Sequence, residues 1–299
     1  MARLGIDLGG TKIEAAIVED DGAIHVRQRI PTPPGYQAKL EAIAALVQSV
    51  ESRRGVHGLP AGLAHPGSHN PRTGLMRNAN STALNGQALD RDVSAALGRE
   101  VRCANDANCF ALSEARDGAG AGAHSVFGVI LGTGVGGGLV IGGELITGAH
   151  GNAGEWGHTA LPWPEAGEIP GPPCFCGLNG CVETWCSGPA LAADHRRVTG
   201  QTLTADAIAA AASAGDEPAR ATLDRHAARL GRALASVVNI VDPEVIVLGG
   251  GLSNLTGLPE RLETALAPWT FTDEPLTRIV RNTHGDSSGV RGAAWLWPA

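Results

Sequence analysis

No apolar run in the 299-residue chain is long enough to cross a bilayer; the longest, at 126–131 and 245–248, are of strand length. A basic surplus is missing too. Twenty-three Lys and Arg stand against 30 Asp and Glu, a net charge of −7, so there is no electrostatic footprint for nucleic acid. An acidic balance of this size speaks to solubility and says little about partners. Six cysteines in a chain this long make no disulfide framework, and three of them fall in one short loop. The opening MARLGIDLGG enters a strand almost at once, which leaves no stretch for a signal peptide and sets the expectation of a cytoplasmic protein. Neither a G-x-x-x-x-G-K-[ST] loop nor a G-x-G-x-x-G turn after an opening strand is found. Any nucleotide pocket therefore belongs to another architecture. What the chain has in quantity is glycine, 42 residues, beside 43% hydrophobic and 18% charged residues. That is a soluble α/β composition with many tight turns, long enough for one large or two medium domains.

Patterning along the chain supports that class. Strands are predicted at 4–8 and 13–18 around a Gly9-Gly10 turn, with a further hairpin-like strand at 23–29. Apolar residues at helical spacing (Leu40, Ile43, Ala44, Leu46, Val47) predict a helix over 39–51. Shorter elements follow: a strand at 58–64, a helix at 91–97, and a strand at 101–104 that ends at Asn105-Asp106 before a helix over 107–116. The DGAGAGA stretch at 117–123 is the expected domain boundary. A second strand, glycine turn and strand occupy 125–131, 132–138 and 139–141. The segment 162–173 is proline-rich loop. Helices are predicted at 188–198, 205–212, 218–241 and 289–296, with a strand at 245–248 running into Gly249-Gly250-Gly251. Two units that each begin with a glycine-turned hairpin suggest two similar domains, 1–117 and 118–299. The last helix, about 289–297, would pack back on the first.

Three constellations carry chemistry. The turns Asp7-Leu8-Gly9-Gly10-Thr11-Lys12 and Gly132-Thr133-Gly134-Val135-Gly136-Gly137-Gly138 bring amide N–H groups close to an anion without a Cβ in the way, and threonine adds a hydroxyl donor. Asp106, where a strand stops and a helix begins, is either a helix cap or an acceptor for a hydroxyl proton during phosphoryl transfer. Cys174, Cys176 and Cys181 place three thiols within eight residues, and Gly154-Glu155-Trp156-Gly157-His158 upstream offers an imidazole. Three thiolates and one imidazole form a closed tetrahedral set suited to structural zinc; the alternative is three unconnected reduced cysteines. Cys103, Cys109 and Cys186 lie outside the cluster and read as small core residues.

DLGGTK, LGTGVGGG, VDPEVIVLGGGLSN and GEWGH followed by CxCGxxGCxE resemble the ROK family of sugar kinases and sugar-responsive repressors, essentially from Arg3 to Trp297. The resemblance implies an α/β, actin-like and hexokinase-type two-domain ATPase fold, with ATP and sugar meeting in the interdomain cleft. It implies that Gly9, Gly10, Thr11 and Lys12 approach the triphosphate with Thr133 and Gly134, and that Gly250 and Gly251 lie near the adenosine. Asp106 would be the catalytic base, and Asn80, Asn105, Glu155, His158 and Glu183 would hold the sugar. His158 would also join Cys174, Cys176 and Cys181 on a structural Zn²⁺. Asp7 is the candidate carboxylate for Mg²⁺. A homodimer is a family expectation, with a small-molecule sugar and ATP as the other partners and neither nucleic acid nor membrane.

Within the family, NANSTALNG, GNAGEWGH and HGDSSGVRGAAWLWP look most like the bacterial fructokinase branch, which sets the expectation of fructose 6-phosphate as product, with mannose as a further substrate. Against this, CFALSEA and LGTGVGGG also look like N-acetylglucosamine kinase, the alternative. Where such kinases usually carry G-I-P-G, this chain has Ala64-His65-Pro66-Gly67, and His65 either faces the pocket or replaces a core side chain. A reading of another class is a non-catalytic sugar sensor. The family's repressors carry a helix-turn-helix ahead of the first phosphate segment, and Asp7 stands too near the start for one to fit. A sensor would not need Asp106 and two phosphate turns together.

Overall fold

The first sheet is built on alternation. β1 (Arg3–Leu8) and β2 (Lys12–Val18) form the expected hairpin, and β3 (Ile24–Pro31) adds an edge strand whose residues alternate between partly buried and exposed. After α1 (Tyr36–Arg54), β4 (Ala61–His65) pairs in parallel with β1. The short strands β5 (Ser68–His69) and β6 (Met76–Arg77) pair with each other, followed by α2 (Leu89–Leu97), β7 (Val101–Asn105) and α3 (Asp106–Asp117). The sheet order is β3-β2-β1-β4-β7. Leu4, Ile6, Leu8 and Leu63 join Ile43, Val47 and Val93 of α1 and α2 in one core.

The chain continues through β8 (Ser125–Leu131), β9 (Val135–Ile141) and β10 (Glu144–Ile146). Next come α4 (Glu183–Cys186), α5 (Gly188–Thr199), α6 (Ala205–Ser213), α7 (Glu217–Val241), β11 (Val245–Gly249), α8 (Leu258–Leu266), β12 (Arg278–Arg281) and α9 (Ser288–Trp295). The second sheet runs β10-β9-β8-β11-β12, with β8, β11 and β12 parallel.

This computed structural model describes residues 1–298. Ala299, at the end of the second expected domain, lies outside the described residues, as does the Asp286 side chain within HGDSSGVRGAAWLWP. The residues form two units. One comprises 1–122, 138–154 and the chain from His284 onward; the other comprises 123–137 and 155–283. The division falls inside β9.

In the first unit, α9 lies on the backbone of β1 and β4. A Cβ on Gly5 would stand 1.8 Å from the Val290 carbonyl oxygen, and one on Gly62 equally close to that of Ala293. Glycine at both positions is what lets helix and sheet touch. Since Leu4, Ile6 and Leu8 face α1, Asp7 faces the α9 side, where it meets Gly289.

The glycine run is shorter as a turn than its composition suggests. The turn closes at once, Gly132 N–H donating to the Gly134 carbonyl at 3.0 Å, and Val135 already begins β9. Gly138 is a strand residue, and a Cβ there would fall 2.8 Å from the Ala107 carbonyl oxygen and the Ala111 Cβ. Elements absent from the sequence reading are α4, α8, β12 and the short strands β5, β6 and β10.

Candidate active site

In the first unit, the end of β7 sets the reactive corner. Asn105, and not Asp106, is the N-cap of α3: its Oδ1 accepts from the Ala107 amide at 2.8 Å. Asp106 is therefore the first helical residue and exposed, and its Oδ1 also accepts from the Ala107 amide, at 2.9 Å. Asn105 also donates from Nδ2 to the Gly67 carbonyl at 3.0 Å. Gly67 has φ of 79° and packs so tightly that a Cβ would lie 2.6 Å from the Arg77 carbonyl oxygen and 2.7 Å from the Ala79 nitrogen. Asn85 brackets the backbone of Ala79, accepting from its amide at 2.9 Å and donating to its carbonyl at 3.0 Å. A continuous chain of contacts thus links Asn105 through Gly67 to Ala79, beside the exposed Asn80. Gly67 and Asn85 were missed by sequence reasoning; the Pro66-Gly67 dipeptide was the available signal for the first.

The hairpin turn of β1 and β2 leaves Gly10, Thr11 and Lys12 exposed. Gly9 N–H donates to the Lys12 carbonyl at 3.0 Å, and Thr32 closes the turn by donating through Oγ1 to the Gly9 carbonyl at 2.8 Å. Asp7 stands next to the turn, mostly buried. Burial, and then the charges of Asp106 and Glu14, raise its carboxyl to about 7, against the opposing pull of Lys12 and Arg29. Such a carboxylate lacks positive charge, and a divalent cation beside it would supply that charge.

His65 is buried at the end of β4, its Nδ1 near the Pro66 carbonyl oxygen at 3.2 Å and its ring edge-on to His69 at 4.8 Å. Burial first, and then the His69 charge, lower it to about 4, so it is a neutral core side chain. His69 reaches Asp90 at 3.0 Å.

The second unit contains the cysteine cluster and the second glycine turn. The short helical turn Trp156–His158 is seated on β9 by two contacts. Trp156 Nε1 donates to the Gly136 carbonyl at 3.0 Å, and a Cβ on Gly157 would sit 2.1 Å from the Val135 carbonyl oxygen. That explains Trp and Gly in the GEWGH pattern. Cys181 is brought to His158 by an antiparallel bridge between Ala160 and Cys181 and by the Val182 N–H, which donates to the Thr159 carbonyl. Ligand atoms of His158, Cys174, Cys176 and Cys181 all lie within 4.8 Å of one another. Cys174 Sγ is 3.5 Å from His158 Nδ1, and Cys176 Sγ is 3.6 Å from Cys181 Sγ. A tetrahedral zinc with ordinary bond lengths separates two thiolates by about 3.8 Å, and a thiolate from an imidazole nitrogen by about 3.6 Å. Those two separations match such an ion, and the four donors are gathered closely enough that they could hold one.

Glu183 opens α4 immediately after the cluster. Its Oε2 accepts from the Val135 amide at 2.9 Å, so a side chain of the cysteine region holds the second glycine turn. A Cβ on Gly134 would come within 2.6 Å of that oxygen and push the Glu183 carboxylate aside. Thr133 is exposed at the turn. Gly250, with φ of 80°, lies so near Leu131 that a Cβ would be 2.4 Å from its carbonyl oxygen, and Gly251 beside it opens a short helical turn. Glu155 is half-buried, its carbonyl accepting from the His158 amide. Among the described residues no helix is long and apolar enough to cross a membrane.

The ROK family model matches residues 3–299. The chain is 41% identical to the N-acetyl-D-glucosamine kinases of Citrobacter koseri and Salmonella typhimurium, over 98% of this chain and of each relative. The solved ROK hexokinase of Thermus thermophilus superposes with a TM-score of 0.87 at 34% identity, covering 98% of this chain and 97% of that one. A ROK family glucokinase of Streptomyces griseus, solved with glucose and AMPPNP, gives 0.80 at 30% identity over 99% of both. The fold is accordingly the actin-like, hexokinase-type α/β ATPase fold, and the chemistry is that of an ATP-dependent phosphotransferase with a sugar hydroxyl as acceptor. The chain belongs to the ROK family.

Proposed function

We propose that this ATP-dependent sugar kinase takes N-acetyl-D-glucosamine as its acceptor and phosphorylates the hydroxyl on C6. The observation that carries the reading is the 41% identity, spread over 98% of both chains, to kinases named for that sugar. On this point the expectation of fructose gives way to the alternative.

Asp106 is the base. Its carboxylate takes the proton of the 6-hydroxyl as the oxygen bonds to the γ-phosphorus, the bond from that phosphorus to the bridging oxygen breaks, and ADP leaves. As the first residue of α3, Asp106 presents an exposed carboxylate for this work. Asn80, Asn105, Glu155, His158 and Glu183 are the sugar ligands in this reading. Gly9, Gly10, Thr11, Lys12, Thr133 and Gly134 receive the phosphates, and Gly250 and Gly251 the adenosine side. Mg²⁺, with Asp7 as the assigned carboxylate, neutralises phosphate charge when bound. Alignment and charge neutralisation supply most of the barrier lowering. His158, Cys174, Cys176 and Cys181 would hold a structural Zn²⁺, with His158 Nδ1, the nitrogen beside the Cys174 thiol, turned to the cluster and Nε2 left for a hydroxyl.

A second reading, fructose, is favoured by NANSTALNG, GNAGEWGH and HGDSSGVRGAAWLWP. Phosphorus NMR of the product from N-acetylglucosamine, ATP and Mg²⁺ tests the first. It should show a C6 phosphate ester formed in step with ADP. No ester from this sugar, with one from fructose under the same conditions, would replace the first reading by the second.

A further inference from the structure

The segment joining His158 to Cys174 carries five prolines between 162 and 173 and has little regular structure of its own, yet both of its ends belong to the cysteine cluster. Its fixed point is Glu168, 7% exposed, the last residue of a short helical turn over Ala166–Glu168. Glu168 Oε2 accepts from the Glu165 amide at 2.9 Å, closing a capping box. Among the described residues, the other hydrogen bonds of the carboxylate come from α7. Arg229 Nε donates to Oε1 at 2.7 Å, and one terminal nitrogen of Arg232 bonds both oxygens at 2.9 and 2.8 Å. The other terminal nitrogen of Arg232 donates to the Trp163 carbonyl at 2.6 Å. One helix face therefore grips the segment at two places.

The same guanidiniums reach further. Arg229 ion-pairs with Asp194 of α5 at 3.0 Å, and its guanidinium carbon lies over the Trp185 ring, 4.6 Å from the centroid. Trp185 belongs to α4, the single turn that Glu183 opens, and the Cys186 carbonyl at its end accepts from His226 of α7 at 2.9 Å. Asp194 is also held by Arg197 and Arg225. Burial alone would raise the Glu168 carboxyl, but bonds from Arg229, the Glu165 amide and Arg232 bring it below the ordinary carboxylate range. Four buried charges, two of each sign, balance at the core of this network. A buried charge pair of this kind adds little net stability over apolar packing, while removing one partner is costly, so its use lies in fixing geometry.

We infer that Glu168, gripped by Arg229 and Arg232, is a positioning residue for the sugar side of the reaction: it holds the 162–173 segment and, through Arg229 and Trp185, the turn that carries Glu183. This rests on the reading that His158 and Glu183 contact the sugar, and not on which sugar that is.

Glu168→Gln keeps the shape and removes the charge. In the zinc-loaded full-length enzyme, assayed with whichever hexose the wild type turns over best, KM for the sugar should rise about tenfold, with kcat and KM for ATP within about twofold. Zinc transfer to a chromogenic chelator should speed up by about the same factor, a readout independent of turnover. Asp224→Asn, which breaks the exposed Arg261–Asp224 pair in the same unit, should change none of these. An unchanged sugar KM with unchanged zinc release would overturn the inference. So would equal losses in sugar KM, ATP KM and kcat, the pattern of a general structural defect. If Glu168→Gln does not fold, Arg232→Lys keeps the charge and removes the fork, and the same split decides. A wild type that prefers fructose removes the N-acetylglucosamine reading and leaves this test intact.

Discussion

At the start of α3, Asn105 holds the N-cap position and Asp106 follows as the first helical residue, its Oδ1 sharing the Ala107 amide with Asn105. A carboxylate at such a junction reads as cap or base from sequence, and the proposed reading makes Asp106 the base. Asp106→Asn should therefore fold normally by circular dichroism and lose about 10³-fold or more in kcat; near-normal turnover would remove it as the base. His65 was ambiguous for a similar reason, since a histidine after a buried strand fits either a pocket or a core. The structure buries it with a depressed pKa of about 4. The folded-state value lies below the unfolded one, so the stability it contributes is present above pH 6.5 and lost as pH falls towards 4. His65→Ile should flatten that acid limb by up to about 3 kcal/mol between those pH values, read by urea melts at pH 7 and pH 4.5. Asp7 works in the opposite sense. Its folded value is raised to about 7, so its contribution is present below about pH 4 and disappears as pH rises through 7. In the metal-free protein, Asp7→Asn should gain on the wild type in unfolding free energy as pH rises from 4 to 8, while activity with Mg²⁺ and ATP falls.

At the level of elements, the sheets and long helices were legible because their periodicity is local: β8 matched at both ends and α7 to within a residue at its start. The amphipathic α8, with Leu258, Leu262 and Leu266 buried, was overlooked in a stretch opening on Gly257-Leu258-Pro259 that resembles loop. The 132–138 glycines misled in the other direction. Composition says turn, whereas part of the run is a sheet strand, and close approach to Ala107 and Ala111 is what requires glycine at position 138. The cysteine cluster was legible from spacing. Its anchorage was not, because the Glu168 contacts span more than 60 positions and leave no local pattern. Metal analysis should find one zinc per chain. Cys181→Ser should lose the ion, lower the thermal midpoint and weaken sugar binding, with ATP binding kept; full sugar affinity in a zinc-free protein would contradict the structural role.

At the scale of the whole molecule, similarity from end to end establishes a sugar kinase, and the choice among hexoses rests on far fewer contacts. A missing or extra group on the sugar shifts selectivity through one or two hydrogen bonds, which composition and periodicity do not record. That is why segments pointing to fructose coexist in one chain with relatives named for N-acetylglucosamine. The measurement that bears most directly on the account is kcat/KM for ATP-dependent ADP formation, taken in parallel with N-acetylglucosamine, glucose, mannose and fructose on the zinc-replete protein. The account predicts the highest value with N-acetylglucosamine and activity abolished by Asp106→Asn. A higher value with fructose would keep the fold and the base and overturn the substrate, and sugar binding without ADP formation from any of the four would contradict the kinase itself.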